Sequence, residues 1–500
     1  MQEKLSRLRT ILAECQDLNN TIALLDWDQQ VNMPRGGSAE RGEQLGTLSG
    51  LVHDKFTAPE VGQLLEDLKP LVSGPDPDSN DARLVKIAAR YYTKQVRVPS
   101  ELVSEFARAT TTAHQAWVKA RSENDFVSFQ PQLEHIFALR RRYADCFAPY
   151  THVYDPLLDD FEPGMTTADV QAIFSILRPR QIELIQAIAD RPQIEDAFLS
   201  LEFDPQKQWD FGVDAIRRIG FDFERGRQDT SAHPFTTSFG LGDVRITTRI
   251  DTHQWPMGFF GTVHETGHAL YEQGFDPALG RTPMAGGASL AVHESQSRLW
   301  ENLVGRSRDF WVFFYPRLQG IFPAQFANVP LDAFYRAINK VRPSLIRTES
   351  DEATYNLHIM LRLELEIELM EGSLDVRHLP EAWNERMRQF LSITPPNDRV
   401  GVLQDVHWSG GSVGYFPTYA LGNLISVQLW EKINQDIPAL PDQIRQGEFA
   451  ALLAWLRENV HRHGAKFEPQ ELVQRITGSK IDPGPYLRYL QHKFGEIYAL

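Results

Sequence analysis

The chain has 500 residues, of which 42% are hydrophobic and 23% are charged, a composition typical of a soluble globular protein. Its formal net charge of −15 at pH 7 argues against nucleic acid and anionic membranes as partners, because both attract a basic protein surface. The length allows one large domain or two to three of ordinary size.

Targeting segments and disulfides are not expected. The N-terminal residues lack the apolar run of a signal peptide, and no other run reaches the length of a membrane span. Cys15 and Cys146 are the only cysteines, and we expect two reduced thiols rather than a disulfide. A cytoplasmic location is therefore expected.

The first part of the chain is predicted to be helical, because apolar residues recur at spacings of three and four. The predicted helices cover residues 3–25, 38–56, 81–96, 99–122 and 131–147. A turn-rich segment, Gly74–Ser79, lies between two of them. Thr166 is predicted to begin a further helix, with Asp169 three positions on as its acidic capping partner.

Strand signals are concentrated in one place. Residues 236–239 and 244–250 are β-branched or aromatic runs, and the four residues Gly240–Asp243 between them predict a hairpin. The hairpin precedes the metal-binding motif described next. In zinc peptidases a strand at this position commonly holds the substrate backbone by edge pairing. An ordinary small hairpin is an equally good interpretation.

Residues 264–268 have the sequence His-Glu-Thr-Gly-His, an HExxH motif within an apolar segment that we predict to be helical. Residues four apart share one face of a helix, so His264 and His268 can approach a single metal ion. Glu265 is then placed to take a proton from a water molecule that the metal activates. The alternative is a helix that carries two half-buried structural histidines.

A third ligand would strengthen the metal hypothesis, because catalytic zinc takes three protein ligands and keeps one open position. The extended form of the motif requires glycine at 271 and histidine at 274, but the chain has Tyr271 and Gly274. The other route is a glutamate from a later helix, and Glu294 and Glu301 lie two turns apart on one. We favour Glu294 over Glu301 as the ligand. Both could instead be solvated surface acids.

Helices resume after the motif. The predicted helices cover residues 286–304, 331–341, 352–371, 414–434 and 447–463. There is no internal repeat, low-complexity tract or long flexible linker. The sequence therefore predicts a mainly α fold, with residues 1–500 forming one continuous helical body around a buried cleft rather than separable domains.

Eight segments along the chain carry recognisable motifs: Leu24–Gln29, Met33–Gly37, His233–Phe235, Asp243–Thr247, His264–His268, His293–Gln296, Gly401–Gln404 and Gly414–Tyr419. In this order they resemble the carboxypeptidase Taq family of zinc metallocarboxypeptidases over almost the whole chain. One further segment, Ile346–Asp351, departs from the family pattern because Ser350 stands in place of an alanine. Both of its charged positions, Arg347 and Asp351, are retained.

The resemblance implies a nearly all-helical body with a deep central groove, related to the angiotensin-converting-enzyme and neurolysin type. It implies a homodimer with a zinc or cobalt ion. It also implies that the protein acts on peptide substrates, removing single C-terminal residues with broad side-chain tolerance. Glu265 would be the general base, and His264, His268 and Glu294 would hold the metal.

Further site residues are expected from their chemistry together with the resemblance. His407 and Tyr415, which flank the glycine-rich segment 409–412, are candidates to donate a hydrogen bond to the oxyanion of the reaction. Each could instead be an ordinary packed side chain. We expect the motif residues His233 and Gln404 to bind substrate.

Arginine suits the recognition of a terminal carboxylate, because its planar group can bind both oxygens. Arg347 is the first candidate and Arg245 the second. Structural ion pairs are the alternative for both, with Asp351 or Glu349 for Arg347 and with Asp243 for Arg245.

Two rival functions remain open. An oligopeptidase that cuts internally or removes dipeptides would use the same metal ligands and base. A catalytically silent peptide-binding protein with a structural metal is the other alternative. The retained Glu265 argues against it, because a structural site needs no base and normally fills all four metal positions.

Overall fold

The structure, a computed structural model, describes residues 1–500 and consists mainly of helices. The first nine are α1 (Gln2–Val31), α2 (Ser38–Phe56), α3 (Pro59–Val72), α4 (Asn80–Arg97), α5 (Ser100–Glu123), α6 (Phe126–Asp145), α7 (Asp155–Leu158), α8 (Thr167–Ala189) and α9 (Pro205–Ile219). The others are α10 (Trp255–Glu272), α11 (Leu290–Arg298), α12 (Arg308–Ile321), α13 (Pro323–Phe326), α14 (Leu331–Ile338), α15 (Tyr355–Glu371), α16 (Leu379–Leu391), α17 (Pro417–Asp436), α18 (Leu440–Arg445), α19 (Ala450–Asn459), α20 (Pro469–Thr477) and α21 (Pro483–Tyr498). None of them combines the length and the apolar character that crossing a lipid bilayer requires.

A small sheet of three strands lies beside α10, in the order β1 (Gly226–Thr230), β3 (Val244–Thr248) and β2 (Thr236–Ser238). The predicted hairpin is confirmed, because β2 and β3 pair antiparallel. The parallel strand β1 was not predicted, since Gly-Arg-Gln-Asp-Thr shows no alternation of apolar and polar residues. This order leaves β2 at an edge of the sheet, with backbone groups available for another strand.

The predicted helices are present, and their ends are explained by local chemistry. Thr166 and Asp169 form the predicted reciprocal capping box at the start of α8. The helix predicted from 286 begins only at Leu290, because Gly286 and Gly287 favour a loop and Ser289 caps the first turn. It changes to a π-helix at Leu299–Gly305.

Several other predicted boundaries were wrong. The helix predicted to end at residue 25 continues to Val31, and the helix predicted from residue 131 begins at Phe126. The helix predicted from 414 begins at Pro417, since Gly414 has a φ of 98° and a Cβ there would lie 2.6 Å from the Leu157 backbone. The helix predicted over 447–463 is shorter, ending at Asn459, and a 3₁₀ turn follows.

The hydrophobic core has one large part and two smaller ones, of which the smallest joins the sheet to α9 and α10 through Ile216, Phe221, Val244, Ile246 and Ala269. The large cluster contains 97 buried residues and extends from α5 to α21. A separate cluster of 14 buried residues joins α1, α3 and α4, and it contacts the loop before α11 through Leu279 and Met284. The predicted mainly helical fold is thus confirmed, while the assignment of residues 1–500 to a single domain stays a prediction.

An aromatic cluster fixes the first half of α10. Trp255 stacks on Phe259 with ring centroids 5.1 Å apart, and both rings contact Phe211 and Trp311. These large side chains are buried, and each would expose a large apolar surface to water on unfolding. The cluster therefore holds the helix rigidly one turn before the HExxH motif.

Two cavities lie between the N-terminal helices and the α10–α11 region. One, of about 560 Å³, is lined by α4, α5, α6 and the start of α11, and the other, of about 540 Å³, by α1, β2 and the end of α10. His293 lines both cavities. Both cavities are thus in contact with the α10–α11 region that carries the HExxH motif and Glu294.

Candidate metal centre and active site

The predicted metal ligands converge from two helices. His264 and His268 project from α10 and Glu294 projects from α11, with ligand atoms that lie within 4.8 Å of one another. The Nε2 atoms of His264 and His268 lie 3.7 Å and 3.5 Å from Oε2 of Glu294. Tetrahedral zinc with bonds near 2.1 Å separates its ligand atoms by about 3.4 Å. The three side chains therefore fit a zinc-sized ion.

Two glycines permit this convergence. A Cβ at Gly267 would lie 2.5 Å from Cα of Ser297, so α10 and α11 approach with their backbones in contact. A Cβ at Gly422 of α17 would lie 2.7 Å from Cβ of Glu294. A larger residue at 267 would push α10 and α11 apart, and one at 422 would displace Glu294 or push α17 away from α11. The glycines stand in the sequence, but nothing there shows which helices they face.

Charged residues behind the ligands hold them in place. Arg298 donates to Oε1 of Glu294 at 2.7 Å and to Glu301 at 3.1 Å, and Glu301 contacts Nδ1 of His264 at 2.9 Å. Burial would raise the pKa of Glu294, but the charges of Arg298 and the two histidines hold it well below its usual range. Glu301, the rival ligand of the sequence analysis, thus supports His264 from the far side of its ring.

His268 has a different support. Its Nδ1 lies 2.6 Å from Nδ1 of His293, and Nε2 of His293 lies 2.7 Å from Oε1 of Glu272. Burial lowers the pKa of His268 to about 3, and the neighbouring histidines add to the effect. This role of His293 and Glu272 was not predicted from the sequence, although Glu272 stands four positions after His268.

Glu265 faces the edge strand. Thr236 in β2 donates to Oε2 of Glu265 at 2.7 Å and to the backbone oxygen of the same residue at 2.9 Å. Burial raises the pKa of Glu265, and His264 and the Thr236 hydroxyl only partly offset this. A carboxylate with a raised pKa is a better base, which suits proton transfer near neutral pH. Thr236 carried no sequence signal for this contact.

His407 and Tyr415 lie together on the other side of the centre. Their ring centroids are 5.4 Å apart, and the Tyr419 ring contacts both. Burial lowers the pKa of His407 to about 4, so its ring is neutral at physiological pH. Burial raises the pKa of Tyr415, and the charge of Glu294 contributes to this, which reflects their proximity. A role for Tyr419 was not predicted, because the sequence does not show that its ring packs against His407 and Tyr415.

Arg347 is buried and paired with Asp405 rather than with Asp351 or Glu349. Its Nε and Nη2 both lie 3.1 Å from Oδ1 of Asp405, and its Nη1 donates to Tyr355 at 2.8 Å. The partners considered in the sequence analysis were wrong, because Asp351 caps the turn before α15 by accepting from the backbone of Ala353 and Thr354. The guanidinium of Arg298 lies over the Tyr355 ring, 4.7 Å from its centroid. Because Arg298 also binds Glu294, Tyr355 and Arg298 connect Arg347 with the proposed metal ligand.

The other predicted substrate-binding residues have different surroundings. Arg245 forms two hydrogen bonds of 2.8 Å with Asp243, its predicted structural partner, and stacks on Trp27. The Gln404 amide is fully engaged within the protein, accepting from Arg347 and Arg362 and donating to backbone carbonyls. The side chain of His233 is exposed and forms no hydrogen bond with the protein.

Known proteins resemble this chain over its whole length. Residues 7–494 match the family described as Carboxypeptidase Taq (M32) metallopeptidase. The chain is 41% identical over 489 residues to Thermostable carboxypeptidase 1 of Thermus thermophilus, with 95% of each protein covered. It is 36% identical over 491 residues to Carboxypeptidase 1 of Bacillus subtilis, with 98% of each covered.

The fold agrees equally well. The crystal structure of M32 carboxypeptidase from Deinococcus radiodurans R1 superimposes with a TM-score of 0.96 at 41% sequence identity, and the match covers 100% of both chains. The sequence matches cover nearly the whole chain, and the structural match covers all of it. The protein is therefore a metallocarboxypeptidase, and the chain belongs to the carboxypeptidase Taq (M32) metallopeptidase family.

Proposed function

We propose that the protein removes single residues from the C-termini of peptides, with broad side-chain tolerance, using a zinc ion held by His264, His268 and Glu294. The observation that carries the proposal is the convergence of these three ligand atoms beside the buried carboxylate of Glu265. Cobalt could replace zinc, because both accept two imidazoles and a carboxylate. A homodimer, which rests on the resemblance, and a cytoplasmic location are part of the same proposal.

A divalent ion in this site would supply Lewis acidity toward the scissile carbonyl and lower the pKa of water. Glu265 takes the proton from the attacking water and transfers it to the leaving amine. Its hydrogen bond from Thr236 fixes one carboxylate oxygen, and the other has no donor from the protein. The edge strand β2 is suited to hold the substrate backbone by antiparallel pairing next to this carboxylate.

His407 and Tyr415 are the proposed donors to the oxyanion. A tyrosine with a raised pKa remains protonated at neutral pH and so can donate, and a neutral histidine carries one N–H. The Nδ1 atom of His407 is buried without a hydrogen-bond partner, and its Nε2 lies 3.4 Å from the Tyr419 hydroxyl. This supports a role for the His407–Tyr415–Tyr419 group in binding the reacting end of the peptide.

Arg347 is the proposed ligand of the terminal carboxylate. Arg347 and Arg362 share the single carboxylate of Asp405, which leaves a net positive charge in a buried setting. An unbalanced buried cation is costly unless an anion approaches it, so this cluster favours a substrate carboxylate. Gln404 supports it by accepting the backbone N–H of Arg347. Arg245 and His233 remain proposed substrate contacts.

The test compares a peptide with its C-terminally amidated form. Mass spectrometry of the products should show stepwise loss of single C-terminal residues from the free peptide and none from the amide. Treatment with a chelator should abolish the reaction, and added zinc should restore it. Internal cleavage, release of dipeptides, or equal rates on both peptides would overturn the proposal in favour of an oligopeptidase.

A further inference from the structure

The two histidine ligands of the proposed metal site are supported in different ways. Nδ1 of His264 contacts a carboxylate directly, at 2.9 Å from Glu301. Nδ1 of His268 instead contacts another imidazole, at 2.6 Å from Nδ1 of His293, and the carboxylate of Glu272 lies one step further away. Nε2 of His268 faces Glu294 at 3.5 Å, so it is Nδ1 that points away from the metal centre.

The protons of this chain of contacts can be placed from its geometry. Oε1 of Glu272 lies 2.7 Å from Nε2 of His293 and is placed to accept a hydrogen bond from it. The 2.6 Å contact between the two Nδ1 atoms needs one hydrogen between them, and because Nε2 of His268 must keep its lone pair for the metal, that hydrogen belongs to Nδ1 of His268. This leaves the lone pair of His268 on Nε2, the atom that faces Glu294.

We propose that His293 and Glu272 form a positioning relay that fixes His268 in its Nδ1–H tautomer and orients its ring for metal binding. Partners that orient metal-ligating histidines are usually carboxylates, backbone carbonyls or water, and their loss weakens metal binding. Here an imidazole occupies that position. The inference rests on the proposed metal site but concerns residues that do not themselves bind the metal.

The surrounding residues hold the relay in place. Glu272 and His268 are one turn apart on α10, while His293 lies next to Glu294 on α11, so the relay links both ligand-bearing helices. The Tyr271 ring packs on His293 with centroids 5.3 Å apart. A Cβ at Gly287 would lie 2.9 Å from Cδ2 of His293, whereas a Cβ at Gly286 would meet no atom within 4 Å.

Zinc titration of the metal-free protein, with a competing chromophoric chelator, tests the relay. His293→Leu should raise the zinc Kd by about 10- to 100-fold, the range typical of lost outer partners of metal ligands. His293→Gln should recover most of the affinity, because its amide can accept from His268 and donate to Glu272. Packing alone predicts equal losses for both variants, and that result would overturn the proposal.

A matched pair of glycine variants distinguishes displacement of His293 from a general folding defect. Gly287→Ala displaces the His293 ring without removing it and should also weaken zinc binding, whereas Gly286→Ala should leave the Kd unchanged. His152→Leu removes a histidine from another His–Glu pair, 2.8 Å from Glu371, and should likewise leave the Kd unchanged. The visible absorption of the Co²⁺ form should change in His293→Leu and Gly287→Ala only.

The outcomes separate the two proposals. If wild type binds one zinc ion and Glu294→Ala does not, the proposed ligand set stands. If His293→Leu and Gly287→Ala then bind zinc with the wild-type Kd, the relay alone is wrong. If wild type binds no zinc, the proposed metal site fails and the relay fails with it.

Discussion

Glu265 and Arg347 are buried charges whose hydrogen-bonding capacity is only partly used by the protein. Glu265 accepts from Thr236 through Oε2, and Arg347 donates to Asp405 and Tyr355. By contrast, the amide of Gln404 has partners on both its donor and acceptor atoms. Residues with capacity left over are those able to contact a substrate, which distinguishes them from structural polar groups of similar burial.

Replacement of the proposed base should separate metal binding from turnover. Glu265→Gln keeps the size and burial of the side chain but removes its ability to take a proton. We expect kcat/KM to fall by at least the 10²- to 10⁴-fold typical of general acid–base catalysis. Zinc content, measured by atomic emission, should match wild type. Full activity in this variant would remove Glu265 from the mechanism.

Replacement of the proposed carboxylate ligand should act on substrate binding. Arg347→Ala is expected to raise KM for free-carboxylate peptides by about 10- to 100-fold, the equivalent of a lost charge-assisted hydrogen bond of about 1.5–3 kcal/mol. Arg342→Ala is the control, since the Arg342 side chain is exposed and makes no ion pair with the protein. Equal KM values for both variants would exclude Arg347 from this role.

At the level of elements, the sequence predicted the type of most segments but not the contacts between them. Apolar spacing identified the helices, and β-branched residues identified the hairpin. Strand β1 escaped prediction because its pairing with β3 is parallel and its residues are polar. The ligand-bearing helices were recognised from motifs, whereas their approach at Gly267 and the packing of Gly422 in α17 against Glu294 depend on tertiary contacts, which periodicity does not encode.

The close approach of α10 and α11 predicts opposite effects for two glycines of the same helix. Gly267→Ala places a methyl group 2.5 Å from Cα of Ser297, and overpacking of this kind costs about 1–3 kcal/mol. Gly261→Ala meets no atom within 4 Å and should stabilise α10 by about 0.5–1 kcal/mol.

Thermal unfolding and zinc titration together measure this pair. The unfolding midpoint should fall for Gly267→Ala and rise or stay constant for Gly261→Ala. Only Gly267→Ala should weaken zinc binding, because only a side chain at position 267 would push apart the two helices that carry the ligands. Weakened binding in both variants would show that the spacing of the helices is not the controlling feature.

At the scale of the whole molecule, the candidate metal centre is assembled from segments that lie far apart in the sequence. Glu162 from the loop before α8 accepts from the backbone N–H of Ala291 at 2.6 Å, at the start of the helix that bears Glu294. Its other oxygen, Oε2, is buried without a hydrogen-bond partner. No sequence pattern indicated this contact, because the two residues are brought together only by the complete fold.

Burial raises the pKa of Glu162 from its usual 4.5 to about 8, only partly offset by the Ala291 N–H, and this makes the stability of the protein depend on pH. The folded state holds the Glu162 proton more tightly than the unfolded state, so this contribution is fully present below pH 4.5. It is lost as the pH rises toward 8, at about 1.4 kcal/mol per unit of pKa difference.

Glu162→Gln resembles the protonated carboxyl and can still accept from Ala291, so this decline should disappear. Unfolding midpoints at pH 5 and pH 9 should therefore diverge between wild type and Glu162→Gln at the higher pH, whereas Glu40→Gln, at an exposed glutamate, should follow wild type. The same change of unfolding midpoint with pH in all three proteins would mean that ionisation of Glu162 does not destabilise the folded state.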